Sequence, residues 1–285
     1  MCPPALPLLC LVGLLVGCPP DTLVEVPLQD VPSVQWLSLY DDWTNLSIGR
    51  SACGVRAGDV YCDAEYYGTQ GLEVQVAEGG AVAVRSTRGI AVSVPREGVL
   101  TFEVQPLSWA LGEEGRVARW LCFLQSAGTL WCPYADPVSI PALVGTNIVV
   151  AETAVCGVTP EGESRCVQGT TELSVPALGF TVDLVGAGNR VCARDEFGLV
   201  RCWKPSDPES VFLLEGSFAS FDAFEGGGCG ITAEGDVICS PPSGESATLI
   251  ASGVGEGTIS VGEAGVAILT TEGNAQGIDV DWSSL

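Results

Sequence analysis

The sequence predicts an all-β protein assembled from seven copies of one hairpin unit. Three observations predict it. A Cys-to-Cys segment of constant length recurs at Cys122–Cys132, Cys156–Cys166, Cys192–Cys202 and Cys229–Cys239, and one residue shorter at Cys53–Cys62. A glycine holds the same place in each, at Gly58, Gly128, Gly162, Gly198 and Gly235. Two further copies without cysteine, residues 83–93 and 267–277, place Gly89 and Gly273 there. The copies begin at 53, 83, 122, 156, 192, 229 and 267, so the period runs from 30 to 39 residues. Self-similarity at that period marks a solenoid, a propeller or an array.

Each unit reads as two short antiparallel strands. If Cys229 opposes Cys239, then Ile231 opposes Val237 and Thr232 opposes Asp236, leaving the loop Ala233-Glu234-Gly235. A three-residue hairpin loop of this kind is a type I turn followed by a left-handed residue, and glycine takes that conformation without a Cβ clash. Pro160 in the second full-length copy suits the first turn position. The short copy leaves the two-residue loop Ala57-Gly58, so the turn type changes while Cys53 and Cys62 stay opposed. In the cysteine-free copies Ala83 with Ser93, and Ala267 with Gly277, take the cysteine positions.

Apolar runs precede the hairpins, as in SVQWLSL, TNIVVAE, FTVDLVGAG and TISVGEAG. Each supplies another strand, so a repeat holds three or four strands, the size of one propeller blade. Along the hairpins Cys229, Ile231 and Val237 share one face. Small residues recur on the other (Gly54, Gly157, Ala193, Gly230), as a close approach of neighbouring sheets requires.

Composition narrows function. The 285 residues carry a net charge of −23 with 12 Lys or Arg, 35 Asp or Glu and no His. Phosphate backbones need clustered cations, so nucleic acid is excluded as a partner. Without histidine, Ser-His-Asp and Cys-His nucleophiles are excluded too. The carboxylates Asp41, Asp42, Glu113 and Glu114 are candidates for a glycoside-hydrolysing pair, and Asp279 with Asp281 alternates as a calcium site would. Both sets fall short, since an acidic chain has many such neighbours and calcium takes six to eight oxygens. No cofactor and no metal site is expected, and the chain reads as a non-enzyme. The aromatic residues Trp36, Tyr40, Trp43, Tyr66, Tyr67, Trp109 and Trp120 are the candidate binding residues for protein or carbohydrate. Inter-blade packing is the competing role.

The chain divides into residues 1–17, 18–30 and 31–285. The first is an apolar run too short for a comfortable membrane span and reads as a signal peptide. Its end, Leu15-Val16-Gly17-Cys18, resembles the lipobox of bacterial lipoproteins, which implies a lipid on Cys18 and an anchor in the cell envelope. Pro19 stands where the inner-membrane retention Asp would be, which favours the outer membrane. Residues 18–30 form a Pro-rich, acidic tether. Thirteen cysteines are then accounted for: Cys2 and Cys10 lie in the signal, Cys18 takes the lipid, and ten form five hairpin pairs. Export supplies the oxidising compartment that disulfides need.

The cysteine-bearing repeats VCGVTPEGESRC, VCARDEFGLVRCW and LCFLQSAGTLWC resemble the regulator of chromosome condensation repeat, in its cysteine-bearing exported bacterial form. The resemblance covers residues 31–285 and implies a seven-bladed β-propeller. The Trp-Gly and Gly-Gln-Leu-Gly pieces of that family are mostly absent, with Trp203 and Tyr134 as remnants, and the blades are shorter. The founding member's nucleotide-exchange activity is therefore not carried over. The expectation is a monomeric, non-catalytic binding or scaffold propeller at the envelope. The alternatives are a secreted inhibitor of an extracellular enzyme and a carbohydrate-active hydrolase.

Overall fold

The hairpins form where the cysteine spacing places them, and seven of them build a ring. In a computed structural model of the chain, residues 34–77, 80–94, 98–103, 108–111, 121–125, 129–132, 138–139, 148–152, 154–214, 216–243 and 246–285 are described. They form seven antiparallel sheets, each with its strands in chain order, arranged as the blades of a β-propeller. Blade 1 is β1 (Trp43–Ile48), β2 (Ala52–Arg56), β3 (Asp59–Cys62) and β4 (Glu65–Thr69). The inner strands of blades 2 to 7 are Glu73–Val76, Ser108–Leu111, Ile148–Ala151, Thr181–Ala187, Phe218–Phe224 and Gly257–Gly262. Among the described residues, blades 1 to 6 have four strands and blade 7 has three.

Five disulfides join the second and third strands of blades 1, 3, 4, 5 and 6, pairing Cys53 with Cys62, Cys122 with Cys132, Cys156 with Cys166, Cys192 with Cys202, and Cys229 with Cys239. The opposed residues are those the spacing predicts, including Ile231 against Val237. The full-length turns close by one scheme. Thr232 N–H donates to the Asp236 carbonyl at 2.9 Å and Gly235 N–H to the Thr232 carbonyl at 3.0 Å, with Gly235 at φ +83°. Gly162, Gly198 and Gly273 repeat it at φ +80°, +82° and +85°, and Gly58 sits at φ +83° behind Ala57 at +51° in the two-residue turn. Gly128 lies outside the described residues.

The cysteine face of each blade is also its seam with the next. Cys229, Ile231, Val237 and Cys239 pack on Ile259, Val261, Val266 and Ile268 of blade 7. Cys192 and Cys202 pack on Phe218 and Phe221 of blade 6, and Cys53 and Cys62 on Val74 and Val82 of blade 2. The sulfurs therefore fill the core between blades as well as cross-linking hairpins.

Three expectations change. In blade 2, Val82 rather than Ala83 opposes Ser93, and the loop is the two-residue Thr87-Arg88. Gly89 is thus no turn residue; it opens the third strand, where a Cβ would strike the Phe102 carbonyl. From Val34 on, the described part of the run SVQWLSL forms no strand. Its Gln35–Leu39 part is a short 3-10 helix covering the outer edge of blade 7, where Gly277 N–H donates to Ser38 Oγ at 2.8 Å. The missing side chain at Gly277 makes room for the Val34 main chain.

The third concerns the small residues opposite the cysteine face. At Gly54 and Gly230 they accommodate an aromatic ring of the same blade. A Cβ at Gly54 would lie 2.5 Å from the Trp43 ring, and one at Gly230 would overlap the Phe218 ring. Trp43 in turn donates its indole N–H to the carbonyls of Leu37 and Tyr40 at 3.1 and 3.2 Å, tying the entering chain to blade 1. Replacing Gly54 with Val is expected to overpack this site and cost about 1–3 kcal/mol in urea denaturation. Gly68→Ala, where nothing lies within 4 Å, is the control and should be close to neutral.

Candidate functional site

Two regions of the ring present chemistry: the central channel and the face carrying the hairpin tips. Strand alternation puts the turns between second and third strands, and the links between blades, on one side. That side is the tip face.

The inner strands enclose a channel cavity of about 340 Å³. One lining position recurs in every blade: Ser47, Gln75, Ala110, Val149, Val185, Asp222 and Ser260. Where it is polar, it accepts a backbone N–H from the next blade. Ser47 Oγ accepts from Val76 at 2.9 Å and Gln75 Oε1 from Leu111 at 3.1 Å. Asp222 Oδ2 accepts from Val261 at 2.7 Å. Ser260 Oγ accepts from Ile48 at 3.0 Å, and so closes the ring by the same device. A second row repeats it, with Asn45 Oδ1 accepting from Val74 at 2.8 Å and Ser220 Oγ from Ile259 at 3.3 Å. Ala110, Val149 and Val185 cannot accept, so the channel is polar on one arc and apolar on the other.

Asp222 is the electrostatic outlier of the channel. Burial pushes its carboxyl up to about 7, and the neighbouring Asp183 charge adds to the rise. The N–H bonds from Val261 and Ala223 and the Ser260 hydroxyl act in the opposite sense. The lumen touches part of the residue, but the inner strands shield the carboxylate from bulk water, and desolvation disfavours the charged form. The residue was legible in principle: the strand FASFDAF aligns with WTNLSI and TISVG, and the shared polar position is visible once the strands are aligned.

On the tip face the turn glycines have a second task. Their carbonyls accept from the residue entering the next blade: Gly58 from Gly71, Gly162 from Thr181, Gly198 from Phe218, Gly235 from Val254, and Gly273 from Trp43, at 2.7–3.0 Å. Among the described residues, the tips of blades 1, 4, 5, 6 and 7 are therefore hydrogen-bonded to the links beside them. Between the tips of blades 6, 7 and 1 this face opens into a groove of about 780 Å³. Elsewhere on the tip face, Phe180 in the link from blade 4 to blade 5 and Phe197 in the turn of blade 5 stand exposed.

The candidate binding aromatics divide. Trp36, Trp43 and Trp109 are buried, so their role is packing rather than binding. Trp36 meets Trp43 edge-on at 5.5 Å, and Trp109 donates its indole N–H to Glu73 Oε2 at 3.1 Å, joining blades 2 and 3. They are buried because wide rings fill the junctions that small residues leave open. Tyr40 is half-buried under the Arg56 guanidinium, 5.0 Å from its ring centre. Tyr66 and Tyr67 are exposed on the outer strand of blade 1. Tyr61 links Trp43 to Tyr66 through edge-on contacts, and burial pushes its phenol up. Trp120 lies outside the described residues.

Of the carboxylate candidates, Asp41 and Asp42 are described. Asp41 is exposed and 3.9 Å from Arg56, and Asp42 sits at φ +62° at the entrance to β1. Glu113 and Glu114 lie outside the described residues. Asp281 is spent on capping the terminal turn, accepting from Ser283 Oγ at 2.6 Å and Ser283 N–H at 3.1 Å. Among the described residues no three metal-ligating side chains come together.

No protein-family model matches the sequence, and no curated protein matches it. Solved structures do. The chain is similar to the CRINKLY WD40 ectodomain of the Arabidopsis thaliana receptor kinase ACR4, with 13% identity and a TM-score of 0.59, covering 84% of this chain and 98% of that one. It is similar to yeast RCC1 (Prp20), captured with Kap60, with 10% identity, a TM-score of 0.55 and coverage of 83% and 80%. It is also similar to BBS1N in complex with ARL6DN, with 12% identity, a TM-score of 0.53 and coverage of 79% and 86%. At such identities the likeness is one of fold, and the fold shared is the β-propeller.

Proposed function

We propose that this chain is a non-catalytic binding propeller, tethered to a bacterial cell envelope by a lipid on Cys18, that docks a protein on its tip face. The observation that carries the reading is the pair Phe180 and Phe197, 49% and 72% exposed in the link that enters blade 5 and in the hairpin turn of that blade. A rigid frame holds both. Phe180 lies over Gly162, and the Phe197 carbonyl accepts from Ser217 Oγ at 2.6 Å. Apolar rings left in water on a held main chain favour contact with a partner. Among propellers of similar shape, Prp20p binds Gsp1p and histones, and BBS1N was captured with ARL6DN, which supports a protein ligand.

The lipid and the outer-membrane location rest on Leu15-Val16-Gly17-Cys18 and Pro19. Cys18→Ala is expected to move the protein from the membrane fraction to the soluble one. A photo-cross-linking residue placed at Phe197 in cells is expected to yield a discrete protein adduct. The same residue at Val99, an exposed position on the outer strand of blade 2, should yield none. Equal labelling at both positions, or none at Phe197, would sink the docking reading.

A further inference from the structure

We propose that the groove between the tips of blades 6, 7 and 1 receives a Lys or Arg side chain from a basic loop of the protein partner. The inference rests on the docking reading and specifies the chemistry of one contact. At about 780 Å³ the groove has the size of an ordinary ligand pocket. Leu46, Ala219, Ile231 and Leu269 supply its apolar lining, and Glu234 and Glu256 its carboxylates. A Lys or Arg side chain has the same division, an apolar stem and a charged head. Its methylenes match the apolar lining and its head the two carboxylates.

Charge complementarity points the same way. From Pro205 to Leu285 the chain holds thirteen Asp or Glu and no Lys or Arg, so blades 6 and 7 have no cation of their own to offer. Among the described residues neither Glu234 nor Glu256 has an ion-pair partner, unlike Glu263, which pairs with Arg50 at 3.0 Å on the opposite face. Arg56, at the tip of blade 1, is engaged elsewhere: it donates to the Asp41 carbonyl at 2.9 Å and covers the Tyr40 ring. The frame is also preset. Glu234 sits in the turn whose Gly235 carbonyl accepts from Val254 N–H at 3.0 Å, just before the link that carries Glu256. The backbone that carries the two carboxylates is thus held before a partner arrives.

The test is fluorescence anisotropy of the full chain with a labelled Gly-Ser peptide carrying two arginines, at low salt where surface charges are least screened. Its citrulline counterpart keeps the shape and lacks the charge. The double variant Glu234→Gln/Glu256→Gln is expected to weaken arginine-peptide binding by about tenfold or more. Glu103→Gln/Glu209→Gln removes the same charge from the blade rims and should change binding less than about twofold. The citrulline peptide should not bind. Equal losses in the two double variants would mean diffuse attraction to a polyanion and would overturn the groove. Binding that survives Glu234→Gln/Glu256→Gln, or no saturable binding of the arginine peptide, would overturn it too. A Phe197 adduct that persists in cells under those results would leave the docking face standing, whereas loss of the adduct removes the docking reading itself.

Discussion

Full reduction of the five hairpin disulfides is expected to unfold the ring. Each bridge spans 9 or 10 residues. Closing so short a loop constrains the unfolded chain by about 2–3 kcal/mol in the chain-entropy treatment. Five such terms come to more than about 10 kcal/mol, comparable to the whole stability of an ordinary domain. The sulfurs are also core atoms, so alkylated thiols could not repack between blades. A thermal melt followed by far-UV circular dichroism should lose its cooperative transition, or fall by about 20–40 °C, once the protein is reduced and blocked. Removal of one bridge, as in Cys229→Ala/Cys239→Ala, should cost about 2–4 kcal/mol, cross-link and cavity together. An unchanged melt after complete reduction would show that the hairpins are held by the sheet alone. Blade 2 makes that comparison meaningful, because Val82 and Ser93 face each other there with no bridge.

Asp222 should make stability fall as pH rises from about 4 to about 7. The sign follows from where the proton sits. In the unfolded chain the carboxyl ionises near its ordinary value of about 3.9. In the folded ring it is held up to about 7 by burial first and by Asp183 second. Between these limits the folded state binds the proton and the unfolded state does not, so each step up in pH favours unfolding. The loss has an upper bound of about 4 kcal/mol and is complete above the folded value. Asp222→Asn should abolish this slope. It keeps one oxygen acceptor and gives up the bond from Val261 N–H, which costs about 1–3 kcal/mol for a buried donor. The variant should therefore be the more stable protein at pH 8, by about 1–3 kcal/mol, and no better than the parent at pH 4. Urea denaturation at the two pH values reads both numbers. Identical pH slopes in parent and variant would mean that Asp222 is ionised throughout.

The two predictions concern opposite ends of sequence separation, and that difference governs what could be read in advance. A hairpin is a local object. Cys229, Gly235 and Cys239 lie within eleven residues, and opposing two cysteines across a glycine turn satisfies pairing, side-chain parity and backbone sterics at once. The sequence therefore specified the bridged pairs, the turns of blades 1, 4, 5, 6 and 7, and the all-β repeat. Blade 2 shows the limit, since without cysteines nothing local told a two-residue loop from a three-residue one, and the register moved by one.

Tertiary structure decided the rest. Trp36, Trp43 and Trp109 carry the same local signal whether they pack or bind, and only tertiary packing, within blade 1 for Trp43 and between blades 2 and 3 for Trp109, buries them. Ring closure joins Ile48 to Ser260 and Trp43 to Gly273, more than 200 residues apart. The channel and the groove arise where strands from separate blades converge, so Asp222, Glu234 and Glu256 were three among 35 acidic residues until the ring placed them. Local turn chemistry repeats along the chain and can be read from it. The sites depend on which repeats become neighbours when the ring closes, and that is fixed by packing between blades.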